Sequence, residues 1–259
     1  MRIALRLEYD GRNFAGWERQ IEARTVQAEL EQALSQVAAH GIRTTCAGRT
    51  DAGVHAHGQV VHFDSTSVRT VRSWIFGANS NLPRDVSVTW AGPVERTFHA
   101  RFSARSRHYQ YIILNRFVRS ALLRGRATWE CRRLEESVMQ AAAGYLLGEH
   151  DFSAYRSLAC QAKNPVRTIY RLDVRRYGEV VLIDVVANGF LHHMVRNIAG
   201  VLMAVGMGKH EPRWAYQVMA SRDRTRGGVT APPDGLCLLG VDYPPHFGIP
   251  RVSPPGGLW

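Results

Sequence analysis

The sequence predicts an α+β fold of two pseudo-symmetric strand-helix-strand-strand-helix-strand halves, joined in a central mixed or antiparallel sheet with helices, with a cleft between the halves. Three observations point there. Short runs such as Arg2 to Tyr9 alternate apolar and polar residues with period 2, while Val26 to Ala39 carries an apolar stripe with period 3.6. The third is that the same element order recurs in the second half, without evident sequence identity, so the repeat is one of topology. The expected divisions are residues 1–104, 105–245 and a Pro/Gly-rich tail, 246–259.

In the first strand Ile3, Leu5, Leu7 and Tyr9 alternate with Arg2, Ala4, Arg6 and Glu8, and Asp10-Gly11 ends it. The aperiodic Phe14-Ala15-Gly16-Trp17-Glu18-Arg19-Gln20 reads as a loop, either touching a nucleic acid or covering the core. Thr25 is a plausible N-cap for a helix over Val26 to Ala39, with Val26, Leu30, Ala33, Leu34 and Val37 inward and His40-Gly41 as its stop. A glycine-bracketed loop, Gly48-Arg49-Thr50-Asp51-Ala52-Gly53-Val54-His55, separates Thr44-Thr45-Cys46 from the strand Gln59 to Phe63. Glycines permit a tight path and close backbone approach, so this loop can present the short Asp51 carboxylate at a fixed point. Arg49, two residues earlier, would favour the ionised form, which suits a nucleophile or general base. A turn-capping aspartate is the plainer alternative. A short helix near Val71 to Ala78 and a strand Val86 to Trp90 complete the first half.

Between Phe98 and Tyr111 three arginines, two histidines and four aromatic residues interleave, the combination of cations and rings that unpaired bases require. Arg101 and Arg105 are candidate substrate contacts there; a strand edge with solvated arginines is the alternative. Tyr109 and Tyr111 share one face of a strand running to Leu114. Residues 115–132 read as linker. A helix is expected from Leu134 to Leu147, with Leu134, Val138, Ala142, Tyr145 and Leu146 inward and Gly148 as its stop. A hairpin follows around Tyr177-Gly178. Next comes a helix carrying the stripe Met194, Ile198, Val201, Leu202 and Val205, with His192, His193, Arg196 and Gly200 on another side. Pro212 opens a further helix, Arg222 lies in a basic, polar loop that reads as a phosphate contact or as merely solvated, and Gly235 to Val241 reads as a buried strand.

The 259 residues carry a net charge of +11 and a pI near 10.1, which points to a polyanionic partner, nucleic acid first. Only Lys163 and Lys209 are lysines; arginine can grip phosphate in a fork and stack on bases, although genomic composition alone would also enrich it. No run of about 18 uncharged apolar residues occurs, so no membrane partner is expected. Met1-Arg2-Ile3 leads straight into a strand, so a cytoplasmic location is expected. Cys46, Cys131, Cys160 and Cys237 are widely spaced, arguing for free buried thiols rather than a zinc site or disulfides. Asp51 with His55, His57 and His62 could be read as a metal cluster, but lacks compact ligand spacing.

The stretch from Gly48 to His55, followed by Gly58-Gln59-Val60, closely resembles the catalytic signature of the tRNA pseudouridine synthase A family. Similar segments run from roughly residue 1 to 245, with Glu18 where the family usually has glutamine and Tyr155 where it usually has phenylalanine. The resemblance implies that Asp51 is the nucleophile, that Tyr109 is the active-site tyrosine, and that Arg196 is the basic residue paired with the catalytic carboxylate. It also implies a homodimer acting on the anticodon stem-loop of tRNA, at positions 38, 39 and 40. His192 and Arg222 join Tyr109, Arg101 and Arg105 as expected substrate contacts. Isomerising uridine involves no net redox change, so no cofactor and no metal are expected. The route of Asp51, through ribose C1′, uracil C6 or a glycal, stays open. The competing readings are a non-catalytic RNA-binding module and a metal-dependent RNA hydrolase using Asp51, His55 and His57.

Overall fold

The computed structural model describes residues 1–252; residues 253–259 of the expected tail lie outside the described residues. Two compact units are present, one formed by Met1–Arg107 with the chain from Cys237 onward, the other by His108–Leu236. The strand expected to close the second half thus falls largely in the first unit.

In the first unit, β1 (Arg2–Tyr9) is the antiparallel neighbour of both β3 (His55–Asp64) and β4 (Val86–Val94), and the two-residue β2 (Thr45–Cys46) also pairs with β3. β10 (Leu236–Asp242) adds to β3 in parallel through Cys237 and Leu238. As the alternation predicts, Ile3, Leu5, Leu7 and Tyr9 are buried. Helices α1 (Val26–Ala38) and α2 (Val71–Asn81) pack on each other, and α2 packs on β4. The end of α1 is a left-handed Ala39 at φ 58°, just before the expected His40-Gly41 stop. Thr25 occupies its N-cap, but makes no side-chain capping bond, and its hydroxyl is buried without a partner.

One buried charge on α1 departs from its apolar stripe. Glu31, only 2% exposed, accepts the Thr44 N–H at 2.8 Å, the Gln27 side chain at 2.9 Å and the Arg43 guanidinium at 3.1 Å. A buried carboxylate is tolerable only with such a full set of donors. Here it ties α1 to the segment leading into β2.

The second unit has the strand order β5 (Ser106–Asn115), β9 (Val180–Ala187), β8 (Val166–Tyr177) and β7 (Gly148–Asp151), with β6 (Thr128–Glu130) parallel to β5. The strands β6 and β7 correct the reading of residues 115–132 as linker and of Gly148 as a simple stop. Helix α3 (Glu136–Gly144) is shorter than expected, so Met139, Ala142 and Ala143 are buried while Tyr145, expected inward, is exposed. α3 packs on β8 and on α4 (Met194–Gly206), and α5 (Trp214–Ser221) on both helices.

The start of the tail is also structured. The Phe247 ring meets Phe98 at 5.1 Å, and Val252 lies against Gly58 and Gly240. Of the four thiols, only Cys237 is buried; Cys131 is exposed and the other two are intermediate. Among the described residues no helix is long and apolar enough to cross a membrane.

Candidate active site

The loop between β2 and β3 is held by its backbone before any side chain acts. Ala47 N–H donates to Val60 O at 2.8 Å, Gln59 Nε2 to Gly48 O at 2.7 Å, and Trp17 N–H to Thr50 O at 3.0 Å. Gly53 N–H reaches Phe14 O at 3.3 Å, Val54 N–H closes a turn on Asp51 O at 3.1 Å, and the Thr50 hydroxyl bonds Tyr9 Oη at 2.8 Å. These bonds surround Asp51, whose side chain is half-buried. Phe14 and Trp17 are buried, so these two rings cover the core, and the backbone of their segment seats the Asp51 loop.

Two glycines make this seat. Gly11 lies so close that a Cβ there would come within 2.0 Å of Val54 O. Gly16 has φ +103°, and a Cβ on it would stand 2.8 Å from Thr50 O and 3.2 Å from both Asp51 C and Ala52 N. A side chain fits at neither position without moving the loop.

Arg49 is ion-paired with a segment remote in sequence. Its Nε donates to Glu18 Oε2 at 2.8 Å, so the guanidinium read as support for the Asp51 charge is engaged by a carboxylate from the Trp17 segment. With both side chains largely exposed, this pair adds at most about 1 kcal/mol. Two of the histidines of the metal reading have structural partners within this unit: Gly11 N–H donates to His55 Nδ1 at 3.2 Å, and Ala100 N–H to His62 Nδ1 at 3.1 Å. His57 Nδ1 lies 3.6 Å from Glu8.

In the second unit Tyr109 is buried, with Phe190 edge-on at 5.0 Å, a ring the sequence did not single out. Tyr111 is fully buried and its hydroxyl bonds Thr128 Oγ1 at 2.5 Å and Pro232 O at 2.8 Å. Burial drives its pKa upward, so Tyr111 packs as a neutral phenol beside Tyr109. Arg196 lies in the first turn of α4, where its Nε donates to Ala231 O at 2.8 Å and its carbonyl accepts Ala231 N–H at 3.1 Å. Gly200 permits that close strap, since a Cβ would meet Val229 O at 1.9 Å. His192 is exposed, just before His193, the left-handed residue (φ 62°) preceding α4. Arg222 is exposed as well; its Nε is 3.3 Å from Asp151 Oδ2.

The tRNA pseudouridine synthase family pattern matches residues 7–103 and 142–244, well over half of the chain. The chain belongs to the tRNA pseudouridine synthase family. Among curated relatives it is 58% identical to tRNA pseudouridine synthase A of Nitrosococcus oceani, over the whole of both chains. It is 57% identical to that of Methylococcus capsulatus, covering 97% of this chain and 93% of the relative, and 55% identical to that of Alcanivorax borkumensis, covering 100% and 97%. The pseudouridine synthase pattern includes Asp51, Arg49, Arg101, His192, Arg196 and Arg222, while Arg105 and Tyr109 fall in the interval between its two spans.

On β3 of this pseudouridine synthase, the strand that follows the Asp51 loop, His62 supplies a pH-sensitive support for the segment at Ala100. Burial first, then the positive charges of Arg2 and His99, hold its imidazole down to about 4. Between about pH 6.5 and 4 the unfolded chain therefore takes up a proton that the folded protein refuses. Stability falls as the pH drops through that window, by on the order of 2 kcal/mol. His62→Asn keeps an acceptor for Ala100 N–H but has no such titration. Urea midpoints at pH 6.5 and 4.5 should fall less for the variant than for the wild type; equal falls would contradict the assignment.

Proposed function

We propose that this member of the tRNA pseudouridine synthase family isomerises uridine in the anticodon stem-loop of tRNA, with the Asp51 carboxylate as nucleophile. The observation that carries the assignment of Asp51 is the loop 47–54, anchored through Ala47, Gly48, Thr50, Gly53 and Val54, which holds one acidic side chain within the matched family pattern. In the reaction the N1–C1′ bond of uridine breaks, the uracil turns, and C5 bonds to C1′. The C5 proton leaves to solvent and N1 gains one, so mass and oxidation state are unchanged.

The reacting uridine must leave its stack to be reached. Tyr109 is proposed as the ring against the extruded base, and Arg196 as the cation serving the reacting carboxylate, both by the resemblance. Arg101, Arg105, His192 and Arg222 are proposed as tRNA contacts; the first two, His192 and Arg222 are all exposed. A homodimer and a cytoplasmic location belong to the same reading.

Purified protein incubated with a tRNA transcript should convert uridine to pseudouridine in the anticodon arm, read by nucleoside chromatography, with EDTA present and the RNA uncut. Cleavage of the strand, or loss of conversion with EDTA, would favour the hydrolase reading instead.

The charge of +11 gives a further expectation. If about four phosphates are neutralised, affinity should fall about 50- to 150-fold between 50 and 200 mM salt. Filter binding that stays flat over this range would contradict phosphate-led recognition.

A further inference from the structure

We propose that Phe102 is a built stacking platform for a base of the tRNA stem-loop other than the isomerised uridine. This rests on the proposed function and adds a recognition residue to it. Phe102 is 75% exposed, yet its loop is tied by both side-chain and backbone hydrogen bonds. A lone exposed ring needs no explanation. This ring has three features that a chance exposure lacks.

Its back is covered and its position fixed. The His99 imidazole stacks on it at 4.3 Å and 30°, and His99 Nδ1 accepts both the Arg101 and the Phe102 N–H at 3.2 Å. His99 N–H in turn donates to Ser103 Oγ at 3.0 Å, and Ser103 N–H to His99 O at 2.9 Å. Ala100 is gripped on both sides, by His62 Nδ1 and by the Tyr243 hydroxyl at 2.6 Å. Burial, then the charge of Arg2, lower the His99 pKa, which keeps Nδ1 available as an acceptor.

Its rim is cationic. The Arg101 guanidinium lies 5.5 Å from the Phe102 centroid, and Arg105 is exposed three residues on. An ordered ring with one open face and a guanidinium at its edge matches a nucleotide, whose base offers a π-face and whose phosphate offers a negative charge.

Its place is tied to Asp51. Arg107 Nη2 donates to Arg101 O at 2.7 Å and to Ala47 O at 3.0 Å, so one nitrogen clamps the Phe102 loop to the first residue of the Asp51 loop. Drawing a uridine out of a stem exposes the faces of its neighbours. A platform fixed to the same loop can cover one of them, lowering the cost of extrusion.

The test compares wild type with F102A, F102L and F102W on a uracil C5-tritiated tRNA transcript, with kcat and KM measured separately. Stacking on one base is worth about 5- to 100-fold, so F102A should raise KM by that factor and leave kcat within about twofold. F102L, apolar but without a π-face, should resemble F102A, and F102W should return KM to within about threefold of wild type. The melting temperature should not move, because the ring is exposed. F102L behaving as wild type, all variants lying within twofold of it, or F102A changing the sedimentation of the protein would each overturn the proposal, the last by assigning the ring to a protein contact. A wild type that releases no tritium would sink the proposed function instead. Filter binding of the same transcript by the same variants would then still decide whether Phe102 stacks.

Discussion

Asp51→Asn is expected to lower pseudouridine formation by at least about 10⁴-fold, the scale on which loss of a nucleophile is felt in other enzymes, while tRNA affinity stays within about tenfold. The two halves of this expectation have separate physical causes. Asparagine has nearly the shape of aspartate, and the bonds that set the loop come from the backbone of Ala47, Gly48, Thr50, Asp51, Gly53 and Val54 and from the Thr50 hydroxyl, so the loop keeps its path. A neutral amide is, however, a poor nucleophile and cannot form the bond that an ionised carboxylate forms. Binding is led by phosphate contacts, in which a single acidic side chain has little part. Affinity by filter retention and turnover by nucleoside chromatography separate the two. An RNA-binding module without catalytic function would show no conversion in the wild type either.

Gly16→Ala should displace the loop without touching any charged group. The residue sits at φ +103°, and its added Cβ would press on Thr50 O, Asp51 C and Ala52 N. All three atoms are backbone, so no side chain can swing aside. Left-handed strain and crowding of this kind together cost about 3 kcal/mol, which for a chain of this size lowers the melting temperature by roughly 6–12 °C. Because relief requires Asp51 itself to shift, kcat should fall about 100-fold or more even well below the melting point, a loss typical of a misplacement near 1 Å. Gly144→Ala is the control: a Cβ at the end of α3 meets nothing within 4 Å, and stability should hold or rise slightly. A Gly16→Ala protein that melts early but turns over normally would show that Gly16 supports the fold and not the loop.

What the sequence made legible was local. The period-2 burial of β1, the helix ending at Ala39 and the glycine-bracketed loop each depend on neighbours within a few residues, and each is found where the pattern places it. The partners that override those patterns are remote. Glu31 looks like a surface charge on α1 until Thr44, 13 positions on, supplies its N–H and hydroxyl. Arg49 is two residues from Asp51 in the chain but pairs with Glu18, which enters from a different segment. The strands β6 and β7 have three and four residues, too few to show an alternation. α3 ends at Gly144, one residue short of Tyr145, so that ring turns outward. For Phe102, the sequence offered a basic and aromatic stretch, but not which ring stays open; that is decided by the stack on His99 and the clamp of Arg107.

Release of tritium from uracil C5 during incubation with tRNA and no added cofactor tests the central assignment most directly, because forming the C5–C1′ bond of pseudouridine displaces the hydrogen on C5. The wild-type protein, with no cofactor added, should release one equivalent per modified uridine into water, and Asp51→Asn none above background. Release that persists in Asp51→Asn would contradict the assignment of the carboxylate on this loop as the nucleophile.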